Sequence, residues 1–280
     1  MPEGHSIHRF ARLHRALLGG QVIAASSPQG RFSDGARALD GGTLDEVQAH
    51  GKHLFYRFHA NGLGRRAKSR PTPVGPPLTL HVHLGLYGRF REYRGIASPP
   101  TAGTRLALTS DDAELQLSGP TVCELIDPAA EEMLHARLGP DPLRGDDPAP
   151  AFEGMRRRSA GIGNVLLDQR VISGIGNVYR AEILFLVGVH PDRPAHAVDR
   201  TTFDRLWTLL RTLMADGERR GRIITVQPQD RRAPSSVSPG DEYWYVYKRA
   251  GLPCRRCSTP INTWELGGRM VFACPVCQPA

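Results

Sequence analysis

Apolar and polar residues repeat on two different periods in this chain, and the change of period divides it. Along residues 6–18, Ile7, Phe10, Ala11, His14, Leu17 and Leu18 fall on one side of a 3.6-residue helix, with arginines elsewhere. Gly19-Gly20 predicts its end. Short strand-like runs follow at 53–59, at 78–84 with strict alternation, and at 105–109 and 114–118, which flank the polar turn Ser110-Asp111-Asp112. This series predicts a β-sandwich or barrel. Between two of these runs, residues 61–77 are rich in Gly, Pro and basic side chains (Arg65, Arg66, Lys68, Arg70). The segment reads as a mobile surface insertion or, alternatively, as a phosphate-contacting loop.

From Asp127 the period becomes helical. Asp127 is a candidate cap, Pro128 suits a first helical position, and Glu131-Glu132 lie near the positive end of the dipole. Further helices are expected at 152–158, 163–169, 177–187 and 199–216. The last carries Phe203, Leu206, Trp207, Leu210, Leu213 and Met214 on one face. The pattern gives an α+β chain in three parts: an N-terminal domain over 1–127, a helical domain over 128–226, and a loop with a cysteine-bearing hairpin over 227–280.

Those cysteines, Cys254, Cys257, Cys274 and Cys277, follow C-x2-C-x16-C-x2-C, the spacing of a closed zinc site. Four thiolates fill a tetrahedral shell, which predicts one structural Zn2+ and leaves no position for substrate. A disulfide or redox reading lacks a secretory context. Between the pairs, Gly267-Gly268 separates two β-prone runs and predicts a two-residue hairpin turn with Arg269 at its tip. Arg269 then either meets a nucleic-acid phosphate or is an ordinary solvated arginine. The chain has 36 Lys plus Arg against 28 Asp plus Glu, a net charge of +8 and a pI near 9.6, which favours polyanionic partners. Only three of the basic residues are lysines (Lys52, Lys68, Lys248), so genomic base composition is an equal source of the arginine bias. No apolar run approaches the roughly 20 residues of a membrane span, and the start lacks a signal-peptide pattern. A cytoplasmic protein with no membrane partner is expected. Cys123, in the run Val122-Cys123-Glu124-Leu125-Ile126, reads as a small buried hydrophobe.

The first residues offer a reaction. With Met1 removed, Pro2 presents a secondary amine, and α-amino groups titrate near ~8 against ~10.4 for lysine, so far less deprotonation is needed for attack on a sugar carbon. Glu3 beside it is a candidate proton donor, given a site that raises its carboxyl pKa. The alternative is an ordinary chain start with a helix-favouring acid. Lys52, opening the run at 53–59, is a candidate phosphate contact or a solvated edge residue. The sequence Gly-Ile-Gly-Asn-Val occurs at 161–165 and again at 174–178. Each copy leads a glycine turn into a helix start, suited to a phosphate or to a purely structural turn.

Taken together, Met-Pro-Glu-Gly at the start, Gly51-Lys52-His53-Leu54, His83-Leu84-Gly85-Leu86-Tyr87-Gly88, Leu166-Leu167-Asp168-Gln169, Gly174 through Glu182, and Val246-Tyr247-Lys248-Arg249 before the cysteines resemble the formamidopyrimidine-DNA glycosylase/endonuclease VIII family in order and spacing. The match spans nearly the whole chain, and Pro-Glu-Gly with Leu86-Tyr87-Gly88 is closer to the endonuclease VIII branch. The resemblance implies an N-terminal β-sandwich and a C-terminal helix-two-turn-helix domain with a zinc finger. It also implies removal of oxidised bases, pyrimidines ahead of purines, from damaged duplex DNA by a monomer, followed by β,δ-elimination at the abasic site. By the same resemblance Pro2 is the nucleophile, Glu3 the general acid and Lys52 a phosphate ligand that assists proton transfer. Asn177 and Arg269 grip phosphates, and Leu86 with Tyr87 fills the gap left by the flipped base.

Two departures stand out. His5-Ser6 replaces the Pro-Glu that often follows Pro-Glu-Gly in endonuclease VIII sequences, and Gly85 stands where relatives can carry a polar residue that probes the opposite strand. The segment 225–243 lies where relatives vary a lesion-contacting loop; Pro228, Pro234 and Pro239 leave its conformation unreadable. Two other readings remain: a non-catalytic damaged-DNA-binding module, and a zinc hydrolase, which the saturated thiolate shell disfavours.

Overall fold

The computed structural model describes residues 2–59, 77–95, 97–230 and 241–280. The expected insertion at 61–77 therefore lies almost wholly outside the described residues, as do Pro234 and Pro239. The chain forms two compact units, one of residues 1–2 and 7–137 and one of residues 3–6 and 138–280.

In the first unit, α1 (Gly4–Leu18), which belongs to this unit from Ile7 onward, buries Ile7, Ala11, Leu17 and Leu18. Two four-stranded antiparallel sheets follow. One has the order β1 (Ala24–Ser26), β6 (Thr104–Thr109), β7 (Ala113–Ser118), β5 (Arg89–Arg94). The other runs β2 (Thr43–His50), β3 (His53–His59), β4 (Leu78–His83), β8 (Val122–Ile126). Leu54, Tyr56, Phe58, Leu80 and Val82 from the second sheet share a core with Leu106, Leu108, Leu115 and Leu117 from the first, so the unit is the expected sandwich. His14 is buried in that core, its Nδ1 2.7 Å from Tyr56 Oη and its Nε2 3.1 Å from a Glu92 carboxylate oxygen. Burial lowers the pKa of this imidazole more than Glu92 raises it. The short helix α2 (Ser33–Leu39) joins β1 to β2.

The helix α3 (Pro128–Arg137) follows the boundary expected at 127 yet packs with the first unit. Asp127 caps it, its Oδ1 accepting the Ala130 amide at 2.8 Å. Glu131 turns inward, accepting hydrogen bonds from Arg57 and from Thr79 Oγ1 on the outer face of the second sheet. Phe55 is consequently buried on the face opposite Leu54 and Tyr56, beneath the rings of His81 and His135. Cys123 is half-buried against the core, and burial pushes its thiol up to about 12.

The second unit holds α4 (Ala149–Arg156), α5 (Ile162–Val165), α6 (Asn177–Val187) and α7 (Arg200–Arg220) around Phe152, Met155, Ile162, Leu166, Tyr179, Ile183, Phe203, Leu206, Leu210 and Met214. Asp199 caps α7 by accepting the Thr202 amide at 2.7 Å, and Gly221 ends it with φ 70°. The helix expected at 163–169 is only one turn long. Asp168 accepts the Arg170 amide as well as the Arg158 and Arg170 side chains, and Gln169 turns its amide back to the carbonyls of Leu167 and Ile175, so side chains occupy backbone groups where a longer helix would continue. The Arg170 hydrogen bond, ahead of that of Arg158, holds the Asp168 carboxyl at about 2. The hairpin β9 (Asn262–Leu266) and β10 (Arg269–Ala273) closes the chain. Among the described residues no helix is long and apolar enough to cross a membrane.

One fully buried acid ties this unit together. Glu182 accepts the amides of Tyr245 (2.7 Å), Val246 (2.9 Å) and Tyr247 (2.8 Å), and the hydroxyl of Thr225. Thr225 begins the long loop and Tyr245 lies just past it, so α6 holds both of its ends. Glu182→Ala leaves these donors buried without an acceptor and is expected to cost about 3 kcal/mol or more of unfolding free energy, measured by urea denaturation, with Glu182→Gln losing less.

Candidate functional site

The Pro-Glu-Gly start and the second Gly-Ile-Gly-Asn turn are built for one another. Gly176 precedes α6 as its cap, which leaves the first amides of that helix without intrahelical partners. The Glu3 carboxylate takes them: Oε2 accepts from Gly176 N at 3.0 Å and Tyr179 N at 3.3 Å, and Oε1 accepts from Val178 N at 2.9 Å. A Cβ on Gly176 would fall on that carboxylate. Gly4 N donates to Gly174 O at 2.8 Å, and a Cβ on Gly4 would meet Gly174 Cα at 2.9 Å and Met214 Cε at 2.6 Å. Gln169 fixes the turn from behind, accepting Gly174 N at 2.9 Å and donating to Ile175 O at 3.0 Å. Glu3 is 1% exposed, and three amides at the positive end of a helix dipole suit its ionised form.

His5, the first departure, is buried in the same unit. Its ring meets Tyr179 edge-on at 5.4 Å and its Nε2 lies 3.0 Å from Ser6 Oγ. The space exists because residue 217, inside α7, is glycine: a Cβ there would strike Tyr179 Oη and come within 3.1 Å of His5 Cδ2. Burial lowers the His5 pKa to about 4.

Asn177, the first residue of α6, has a buried Oδ1 with no partner among the described residues. One turn on, Arg180 is 1% exposed and donates through Nη2 to Met270 O at 2.6 Å, while its Nε and Nη1 have no acceptor among the described residues. Burial, then the charge of Arg269, lowers its pKa to about 10. Arg269 is exposed at the start of β10, directly after Gly267 (φ 60°) and Gly268 (φ 74°), which form the expected turn. A buried donor with spare N–H groups beside an exposed arginine is a place for an anion. Sequence reading passed over Arg180; its one signal was a lone cation in a helix whose side chains are mostly apolar.

In the first unit, Lys52 sits in the two-residue turn Gly51-Lys52 between His50 and His53, with Gly51 at φ 58°, rather than within β3 itself. Its charge, after burial, lowers the pKa of His83 at the end of β4. His83 Nδ1 accepts Gly85 N at 3.1 Å, which shapes the loop that carries Leu86 (53% exposed) and Tyr87 (81% exposed). Gly85 has φ 63°, and Thr121 Oγ1 fills the space a Cβ would need, so a side chain is excluded there by sterics. Alongside runs an imidazole array that the sequence reading did not assemble. His53 Nδ1 lies 2.9 Å from His81 Nε2, His81 Nδ1 lies 3.0 Å from Glu124 Oε1, and His50 Nδ1 lies 2.9 Å from His135 Nδ1.

The sulfur atoms of Cys254, Cys257, Cys274 and Cys277 lie within 4.8 Å of one another, with separations of 3.8 Å (Cys254–Cys277), 3.4 Å (Cys257–Cys274) and 3.6 Å (Cys257–Cys277). A tetrahedral shell at the usual metal–sulfur length of ~2.3 Å has edges of about 3.8 Å, so the donor set fits a thiophilic metal ion.

Residues 1–123 match the formamidopyrimidine-DNA glycosylase N-terminal domain, and residues 138–228 match the formamidopyrimidine-DNA glycosylase H2TH domain. "Endonuclease 8 1" of Mycobacterium bovis is 44% identical over 283 residues, covering 99% of this chain and all of that protein. This chain belongs to the formamidopyrimidine-DNA glycosylase/endonuclease VIII family. Within the family it is also 31% identical, over the full length of both chains, to the "DNA-(apurinic or apyrimidinic site) lyase Nei2" of Mycolicibacterium smegmatis. A Lactococcus lactis Fpg mutant, solved with a DNA containing Fapy-dG, shares its fold with a TM-score of 0.78 at 23% identity over both whole chains.

The buried imidazoles make this family member acid-sensitive. Burial, ahead of neighbouring histidines, lowers His53 to about 3, and burial holds His5 at about 4. The unfolded chain binds these protons near the ordinary value of about 6.5. Stability from the neutral rings is therefore complete above that pH and is lost as pH falls toward 4 and then 3. Thermal melts are expected to show Tm falling between pH 7 and 5, with a shallower fall in His53→Phe.

Proposed function

We propose that this chain is a bifunctional DNA glycosylase and abasic-site lyase of base excision repair, working on damaged duplex DNA as a monomer, with oxidised pyrimidines as its substrates. The observation that carries the reading is the Pro2-Glu3-Gly4 start, whose acid and glycine are locked onto the Gly174–Asn177 turn. That lock sets Pro2 immediately beside a fixed carboxylate. Identity of 44% to an "Endonuclease 8 1" across the whole chain supports the endonuclease VIII branch of the family.

With Met1 removed, the Pro2 nitrogen attacks C1′ of the damaged nucleotide. The N–C1′ bond forms as the bond from C1′ to the base breaks, and the base leaves with that electron pair. The C1′–O4′ bond then opens. Glu3, held as a carboxylate, takes the proton lost by the proline nitrogen and delivers it to O4′, leaving an iminium. In this sense Glu3 is the general acid. The iminium acidifies the C2′ hydrogen, and its loss expels the 3′ phosphate; loss of a C4′ proton then expels the 5′ phosphate. Lys52, on its turn, holds a phosphate and assists these proton transfers. Asn177 and Arg269 grip the flanking phosphates, Arg180 adds charge behind them, and Leu86 with Tyr87 takes the space of the extruded base. The four cysteines hold one structural zinc ion, which supplies rigidity to the hairpin and takes no part in the chemistry. Such an activity belongs in the cytoplasm, where the DNA is and where thiolates stay reduced.

Borohydride reduction during reaction with an abasic-site duplex is expected to trap a covalent protein–DNA adduct. The adduct is expected to disappear in a protein that retains Met1 or carries an added N-terminal residue, and to fall sharply in Pro2→Ala. Binding without any adduct in the mature protein would instead mean a non-catalytic module. A panel of duplexes with single oxidised bases tests the pyrimidine preference. Displacement of zinc with an organomercurial is expected to release one ion per chain and to weaken DNA binding more than tenfold.

A further inference from the structure

The two copies of Gly-Ile-Gly-Asn do different work. The second holds Glu3; the first opens a helix of only one turn and reaches instead for the zinc-binding hairpin. A Cβ on Gly267 would lie 2.5 Å from Asn164 Oδ1 and 2.9 Å from Asn164 Nδ2, so the carboxamide is packed directly against the backbone of the hairpin turn. A Cβ on Gly163 would lie 3.0 Å from Leu266 Cδ2 and 3.1 Å from Pro191 O. Leu266 and Arg269 face one another across that turn. The Gly-Ile-Gly-Asn turn is itself tied down, with Gly163 N donating to Pro191 O and Ile162 N to Arg193 O, both at 2.8 Å. The segment that accepts these bonds also holds the hairpin: His190 stacks on Trp264 at 5.2 Å and 13°, and Trp264 Nε1 donates to Asp192 Oδ1 at 3.2 Å. On the other strand, Arg180 grips the carbonyl of Met270 at 2.6 Å.

We infer that the first Gly-Ile-Gly-Asn turn is a seat for the tip of the zinc hairpin, and that Asn164 is a positioning residue for Arg269. The physical need is clear from the length of the hairpin. The cysteines fix its base, but Arg269 stands at the far end of the five-residue strand that leads to Cys274, about 17 Å of extended chain away. An isolated two-stranded hairpin is marginally stable, so a metal at one end does not fix the other. Arg180 and the 190–192 segment hold Met270 and Trp264 within the strands, and Asn164 adds the contact at the turn itself, where glycine at 163 and 267 lets the two backbones approach. This inference rests on the reading of Arg269 as a phosphate ligand.

The test is equilibrium binding to a duplex carrying a tetrahydrofuran abasic-site analogue, measured across a salt series, for Asn164→Ala, Gly163→Val, Arg269→Ala and each double variant with Arg269→Ala. Zinc content and Tm are followed throughout. Asn164→Ala and Gly163→Val are expected to retain zinc, to weaken binding about tenfold and to lower the log–log salt slope by about one, as Arg269→Ala does by removing one phosphate contact. In the Arg269→Ala background they are expected to add less than about twofold, because a seat has no value once its arginine is gone. Asn164→Asp, which keeps the shape, is expected to retain most of the affinity. Full additivity with Arg269→Ala, or an unchanged salt slope, overturns the seat while leaving Arg269 a phosphate ligand. An inert Arg269→Ala overturns both readings. If Gly163→Val loses zinc, Asn164→Ala, which only deletes atoms, decides the matter.

Discussion

The carboxylate of Glu3 at the start of α6 is the contact on which the candidate chemistry depends. A helix N-terminus offers several amides without intrahelical partners, and here one side chain from the third residue of the chain answers three of them. Because Glu3 adjoins Pro2, the same bonds restrict where the proline nitrogen lies. For Pro2 in its proposed role as nucleophile, such fixing in advance would remove much of the entropic barrier to a bimolecular attack. The glycines at 4, 174 and 176 follow from this one contact, since at positions 4 and 176 a methyl group would enter space already taken and Gly174 adopts φ 92°.

The second unit repeats the device at α6's far side. Glu182 gathers three consecutive amides and a hydroxyl, much as Glu3 gathers the amides of the helix start. Between these two acids, Asn177 Oδ1 and Arg180 Nε and Nη1 have no partner among the described residues. Buried polar groups in folded proteins are nearly always satisfied, so the spare N–H donors of Arg180, beside Arg269, mark a place suited to an external anion.

Much of this could be read from the chain itself, for identifiable reasons. Strict alternation at 78–84 betrayed β4, Asp127-Pro128 announced the start of α3 through its cap, and the apolar face from Phe203 to Met214 revealed α7. The Gly267-Gly268 pair revealed the hairpin, and cysteine spacing revealed the cluster of four cysteines. Elements without a clean period escaped. β2 carries an irregularity between Leu44 and Glu46 that breaks its alternation, and β5, an edge strand reading Arg-Phe-Arg-Glu-Tyr-Arg, buries too little to show a face. The helix expected at 163–169 failed because Asp168 and Gln169 bond to local partners instead of extending it. The imidazole array and the seat under the hairpin are assembled from residues far apart in sequence, which no local pattern can reveal.

Gly217 gives a practical lesson for anyone engineering this protein. Glycine inside a long helix costs on the order of 1 kcal/mol relative to alanine, so helix propensity alone would favour replacing it. Yet its missing methyl is the room in which the Tyr179 hydroxyl and the His5 ring lie, two residues from the acid that orders the chain's beginning. Here a weak helix position is the tolerance that lets the front end of the molecule be assembled at all.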